Sequence, residues 1–260
     1  MAYALITGAS KGIGKSLAFE FAKRKFDLLL TARSENLLKE LAAELANKYG
    51  IAVKYLALDL SQPETVTKIV SFIETENLAI SILVNNAGYG LWGRFEKTGL
   101  QQQLSMLRLN NESIIALTYS LLPLLQKQPQ SYILNIASTT AYQAIPYMSA
   151  YAASKAFVVS FSRGLSHELK GSNVSVTCVS PGATDTNFMQ QAGMNTPKLI
   201  NSASKVSMNA DEVAVQSVKA LFGRRVEFIP GFVNKLTAYA NNFLPKSLVE
   251  NIASNIYKPA

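Results

Sequence analysis

Eight residues near the start, Thr7-Gly8-Ala9-Ser10-Lys11-Gly12-Ile13-Gly14, constrain the fold more than any other stretch. They follow a short apolar run, Ala2–Ile6. They precede Lys15–Arg24, where Leu17, Ala18, Phe21 and Ala22 fall at helical spacing. A glycine turn between a strand and an amphipathic helix aims backbone N–H groups and the positive helix end at one point. Glycine lets a diphosphate approach that backbone closely. The spacing is Gly-xxx-Gly-x-Gly, unlike the Gly-x-Gly-xx-Gly dinucleotide fingerprint. A glycine cluster alone is often only a turn, so its place after the first strand carries the reading.

The rest of the chain repeats this alternation. Asp27–Ala32, Val53–Leu58, Ile80–Val84, Tyr132–Ile136, Val174–Val179 and Val226–Ile229 read as strands. One helix is predicted from the N-cap Ser34 to Tyr49, with Gly50 as its stop. Ser61-Gln62-Pro63-Glu64 has the form of a capping box and predicts a helix to Glu76. Further helices are predicted over Gln101–Leu125, Tyr147–Lys170 and, from a second box at Asn209, to Phe222. The fold class is therefore α/β: a doubly wound parallel sheet of about seven strands with helices on both faces. At 260 residues the chain suits one such domain, over residues 1–230. Residues 231–260 continue as a helical extension on that domain, through amphipathic Phe232–Leu244 and Pro245–Tyr257. The polar stretch Asp185–Met208, with Gly193 and Pro197, interrupts the alternation, and a loop of that length is usually functional or disordered.

Charge and rare residues narrow the function. The formal net charge is +8, but the 25 Lys and Arg are scattered and form no basic stripe with interleaved aromatics, so nucleic acid is not an expected partner. A phosphate-rich ligand accounts for part of the charge. Cys178 is the one cysteine and sits in the apolar run Val174–Val179, as a small buried hydrophobe would. It can form no disulfide within the chain. His167 is the one histidine, which excludes metal sites built on histidine pairs, and no metal is expected. The first strand is expected within three residues of Met1, so no leader is expected before it, and no run of 18 apolar residues is present to span a membrane. These features together lead us to expect a cytoplasmic protein.

The glycine turn, followed in order by Asp59, Asn85-Asn86-Ala87-Gly88, Asn110, Ser138, Tyr151-xxx-Lys155 and Pro181-Gly182, resembles the short-chain dehydrogenase/reductase family over roughly residues 2–230. The resemblance implies a nicotinamide cofactor cradled by Gly8, Ser10, Lys11, Gly12, Ile13 and Gly14. It implies that Asp59 bonds the adenine amino group, with Leu60 beside it. Asn86, Ala87 and Gly88 would pass the ribose. Pro181, Gly182, Thr184 and Thr186 would lie by the nicotinamide, with Thr186 on its carboxamide. Enzymes of this fold that use NAD place a carboxylate after the second strand. Here the sequence reads Thr31-Ala32-Arg33. Arg33 and Lys11 suit a ribose phosphate instead, which points to NADP(H).

Tyr151 and Lys155 are four apart on a predicted helix and share a face. A neighbouring ammonium and the positive ring of an oxidised cofactor are expected to lower the phenol's pKa toward the working pH of a general acid–base. Ser138 follows the strand Tyr132–Ile136, where its hydroxyl could hold a carbonyl beside Tyr151. Asn110 and Asn111 lie inside a predicted helix, an unfavourable place that hints at function. In the family pattern Asn110 holds a water linking the lysine to solvent. The expected reaction is hydride transfer between NADPH and a carbonyl, with Tyr151 supplying the proton and Lys155 binding the nicotinamide ribose.

The loop residues Phe188, Met189, Met194, Leu199 and Ile200, with Leu91, Trp92, Phe95, Ile145 and Tyr147, imply an apolar, moderately bulky substrate. Aliphatic or acyl ketones, steroid-like ketones and aromatic aldehydes, or the matching alcohols, all qualify. The extension could close the substrate pocket, build a subunit interface or lie on a membrane surface. The family's habit of pairing its two long helices implies a homodimer or homotetramer. Two rivals stand beside this reading: a catalytically silent NADP-binding scaffold on the same fold, and an epimerase or dehydratase of the extended relatives.

Overall fold

The structure is a computed structural model and describes residues 2–194, 196, 199–201, 207–241 and 243–259. Seven parallel strands form the main sheet. They are β1 (Tyr3–Thr7), β2 (Asp27–Ala32), β3 (Val53–Ala57), β4 (Ile80–Asn85), β5 (Ser131–Ile136), β6 (Val174–Val179) and β9 (Glu227–Phe228). Their order is β3-β2-β1-β4-β5-β6-β9. All six residues of β2 and of β4 are buried, as continuous apolar runs must be when helices cover both faces. The edge strand β3 is only half-buried and carries Lys54. Two short strands, β7 (Thr184–Asp185) and β8 (Met208–Asn209), pair separately and close the base of the 185–208 loop.

Helices α1 (Gly12–Lys23), α2 (Glu35–Tyr49) and α8 (Ala210–Phe222) cover one face. Leu17 and Phe21 of α1 pack there with Leu38, Leu41 and Leu45 of α2 and Val218 of α8. The other face takes α3 (Thr65–Thr75), α5 (Ser113–Gln126) and α6 (Ser149–Glu168). Ile69 and Ile73 meet Leu117 and Leu121 against Leu5, Leu29 and Leu83 of the sheet. Gly50 ends α2 in the left-handed conformation, φ +63°, as its stop position requires. Cys178 is fully buried in β6.

Local chemistry moved several boundaries. α1 begins at Gly12, three residues before the apolar periodicity, because the glycine turn passes directly into the helix. Ser34 stands at the N-cap of α2 without a side-chain cap bond. The box at Ser61 does not cap α3. Asp59 Oδ1 accepts from Ser61 N (2.9 Å) and Ser61 Oγ (2.8 Å), and α3 starts only at Thr65. Asn209 does cap α8, accepting from Asp211 N at 2.8 Å. The helix predicted over Gln101–Leu125 is broken into α4 (Leu100–Leu107), a π-helical turn (Arg108–Glu112) and α5. α6 begins after Tyr147, which adopts φ +66°, a left-handed backbone uncommon for an aromatic residue. The extension forms α9 (Phe232–Ala240) and α10 (Lys246–Tyr257).

Parts of the expected 185–208 loop, namely Asn195, Pro197, Lys198 and residues 202–206, lie outside the described residues. Phe188–Gln191 forms a short helix, α7.

Candidate active site

The strand order reverses between β1 and β4, and their carboxyl ends open the crevice where doubly wound sheets bind ligands. The glycine turn leaves β1 there, and Asn86–Gly88 leave β4 beside it. Thr7 Oγ1 ties the two together. It donates to Val84 O (3.1 Å) and accepts from Asn86 N (2.9 Å) and Ala87 N (3.0 Å). Asn86 Nδ2 donates to Thr7 O at 2.9 Å. Asn86 also explains two glycines: a Cβ at Gly8 would lie 2.9 Å from its Nδ2, and one at Gly14 would run into the same atom and the Gly8 carbonyl. α1 opens without a side-chain cap and without an acidic residue in its first turn, which suits an anion at its N-terminus. Ser10 and Ile13 line this turn, half-buried, and Thr186 packs against Gly12.

Arg33 and Lys11 are exposed, and among the described residues neither is in an ion pair with a carboxylate. Asp59 and buried Leu60 follow β3, with Asp59 partly engaged by Ser61. Pro181 follows β6, and Thr139 N donates to its carbonyl at 2.9 Å. Thr184 Oγ1 bonds Gly182 O at 3.0 Å, while Asn234 of α9 sits against Gly182, where a Cβ would collide with its side-chain amide.

The other cluster lies across the crevice. Tyr151 and Lys155 occupy successive turns of α6, 6% and 5% exposed. Lys155 Nζ stands 5.9 Å from the Tyr151 ring centre and donates to Ile136 O at 3.0 Å. Ser138, buried just past β5, accepts from Thr140 N at 3.2 Å. Asn110 is wholly buried in the π-helical turn. Its Nδ2 donates to Tyr89 O (3.0 Å) and Ser154 Oγ (3.1 Å), and its Oδ1 accepts from Tyr89 N (3.2 Å). Asn111 instead donates to Ser154 O at 2.8 Å, so the two asparagines divide their work. Gly88 connects the two halves: a Cβ there would lie 2.9 Å from Asn110 Oδ1 and 3.5 Å from Lys155 Nζ.

Burial dominates the electrostatics. It pushes the Tyr151 phenol well above the usual tyrosine value; a hydrogen bond with Ser138 opposes this and nearby Tyr257 adds to it. The same burial lowers Lys155 to about 8. The expected lowering of Tyr151 by its neighbour is thus corrected for the cofactor-free protein. Loss of solvation outweighs a lysine whose own charge is disfavoured. Tyr151 is a protonated donor in this state.

An apolar wall encloses the phenol. The Phe188 ring lies 5.4 Å from that of Tyr151, tilted by 47°. Met106, Ile145, Met148, Met194 and Leu199 are buried in the same cluster, and Leu91, Trp92 and Met189 pack on it. Phe95 and Ile200, expected there, are largely exposed, and Tyr147 is outside the cluster. Two contributors lack a local sequence signal. Ala253 and Tyr257 of α10 join the cluster, and Trp92 Nε1 donates to Tyr257 O at 2.7 Å. Behind the site, Asn85 Nδ2 donates to Asn135 Oδ1 and Asn135 Nδ2 to Ser162 Oγ, each at 2.8 Å. Two asparagines in register at the ends of neighbouring strands could have announced that buried polar chain.

A sheet wound both ways from a phosphate-suited glycine turn marks a dinucleotide-binding protein. The family model for short chain dehydrogenases matches residues 2–196. The chain belongs to that family. It is 34% identical over 193 residues to the probable oxidoreductase EphD of Mycobacterium tuberculosis, covering 74% of this chain but 32% of that protein. It therefore spans about a third of that relative's length. An NADP-dependent 3-hydroxy acid dehydrogenase of Schizosaccharomyces pombe is 33% identical over 186 residues, covering 71% of this chain and 72% of that one. Among solved structures, a short-chain dehydrogenase from Sphingobium yanoikuyae in complex with NADPH superposes with a TM-score of 0.82. The two share 31% identity over 96% of this chain and 95% of that one. Among the described residues no helix is long and apolar enough to cross a membrane.

Proposed function

We propose that this chain is an NADP(H)-dependent oxidoreductase interconverting an apolar ketone or aldehyde and its alcohol. The observation that carries the reading is the convergence of Ser138, Tyr151, Lys155 and Asn110 at one buried point, beside a crevice suited to a dinucleotide. The cofactor supplies or accepts the hydride. The chain's own residues do the rest. Ser138 holds the carbonyl oxygen. Tyr151, kept protonated by burial, gives its proton to that oxygen as charge develops there. Lys155 would hold the nicotinamide ribose. In the oxidised state its ammonium and the ring's charge would together draw the phenol down again. Asn110, between Tyr89 and Ser154 and facing Gly88, would hold the water that relays protons from Lys155 to solvent.

The cluster around Phe188, Met148 and Met194 supports an apolar substrate and excludes water from the reacting atoms. Helix α10 belongs to this site as its outer wall, since Ala253 and Tyr257 pack into that cluster. The intact set of four weighs against a silent scaffold.

NADP(H) is favoured because Thr31-Ala32-Arg33 offers no carboxylate, while Arg33 and Lys11 stand exposed and, among the described residues, unpaired with acids. Two relatives are named for NADP dependence or NADPH binding. Cofactor fluorescence titration tests this. NADPH should bind at least about tenfold tighter than NADH, roughly 1.4 kcal/mol. Arg33→Ala should remove most of that preference while leaving NADH binding unchanged. Equal affinity in the wild type would defeat the NADP assignment and leave the Tyr151 chemistry untouched.

A further inference from the structure

Helix α9 is built the wrong way round for a helix that packs only on its own domain. Its inward positions are small or polar, with Ala238 buried and Asn234 against Gly182. Its large apolar side chains, Phe232, Val233, Leu236 and Tyr239, point outward and are exposed. At 100° per residue these four fall within about one third of the helix circumference. The stripe continues past the helix. Phe243 is 88% exposed, Phe232 80%, and Leu248 and Ile252 stand outward on α10 while Val249 and Ala253 face in. An outward apolar surface of this kind marks an interaction site.

Charge selects the occupant. Residues 231–260 carry three lysines, 235, 246 and 258, against a single acid, Glu250. At the end of α10, Lys258 shares a cavity with Arg94 and Lys97, beside exposed Phe95. A second copy meeting this face about a two-fold axis would bring like charges together. An anionic lipid surface offers the opposite sign, and an apolar stripe with flanking lysines is the pattern of a helix lying in a membrane interface.

We infer that α9 and α10 dock this protein onto anionic membrane surfaces, with Phe232 and Phe243 entering the acyl boundary. The inner side of α10 reaches the cluster around Tyr151, so docking would set the substrate site against the lipid in which apolar carbonyl compounds dissolve. The docking itself does not depend on the catalytic reading.

The test is co-sedimentation of the full chain with vesicles of phosphatidylcholine alone, and with one third phosphatidylglycerol, at low and high salt. The wild type should pellet with the anionic vesicles, and added salt should release it. Phe232→Glu with Phe243→Glu should reduce that binding roughly tenfold or more. NADPH affinity and vesicle-free molecular size should stay unchanged, since both side chains are exposed. A wild type that stays in the supernatant overturns the inference. So does a double variant that binds as the wild type does. No vesicle binding together with a smaller vesicle-free assembly in the variant would also overturn it and assign the face to a second copy.

Discussion

Burial moves Tyr151 and Lys155 in opposite directions, and each shift has a consequence. Lys155 titrates near 8 in the folded cofactor-free protein, against an ordinary value of 10.5. Between those values the unfolded chain holds a proton that the folded chain has lost. This group therefore makes stability rise with pH across that window, and its cost is full below about 8, where the folded state carries a buried ammonium. Lys155→Met should raise the stability of the cofactor-free protein at pH 7, on the order of 1–3 kcal/mol. It should also flatten the rise between pH 8 and 10.5 and abolish activity. Melting curves of both proteins across that range check this, and a lower melting point for the variant at pH 7 would contradict it. The Tyr151–Lys155 spacing was legible because i and i+4 share a helix face whatever surrounds them. The direction of the Tyr151 shift was not, because it depends on burial by Phe188 and Tyr257, which lie far away in sequence.

Among the elements, the glycine turn was the most legible because its determinants are local. Gly14 has no room for a methyl group between Gly8 O and Asn86 Nδ2, both fixed by the β1–β4 connection. Gly14→Ala should cost about 3 kcal/mol or more and weaken NADPH binding, as denaturant melts and titration would show. Boundaries were less legible where side chains compete with the helix. Asp59 captures Ser61 and delays α3 to Thr65. In the middle of the predicted Gln101–Leu125 helix, the two asparagines signalled an irregularity but not its kind. A π-helical turn inserts one residue, and spacing alone does not register it. That insertion aims Asn110 at Tyr89 and Gly88 while Asn111 reaches Ser154 O.

The whole molecule holds what no local pattern carries. The parallel sheet and the helices on both its faces follow from alternation and handedness, whereas the strand order comes from the structure. The contact between Trp92 and Tyr257 spans 165 residues and could only be found in three dimensions. Helix α10 thus meets the apolar cluster through one indole hydrogen bond and a buried face. Trp92→Phe keeps the apolar wall but removes the donor to Tyr257 O, at a cost of about 1 kcal/mol. Steady-state kinetics should show KM for an apolar ketone rising severalfold with kcat nearly unchanged. An unchanged KM would mean that α10 does not wall the substrate.

Tyr151 is the proposed source of the proton that reaches the carbonyl oxygen. Initial rates of NADPH oxidation on a panel of bulky apolar ketones, for wild type and Tyr151→Phe, test it most directly. The variant should bind NADPH as the wild type does and lose about 10²–10⁴-fold in kcat. A Tyr151→Phe protein that keeps its rate within a few-fold, on any ketone the wild type reduces, would contradict the account.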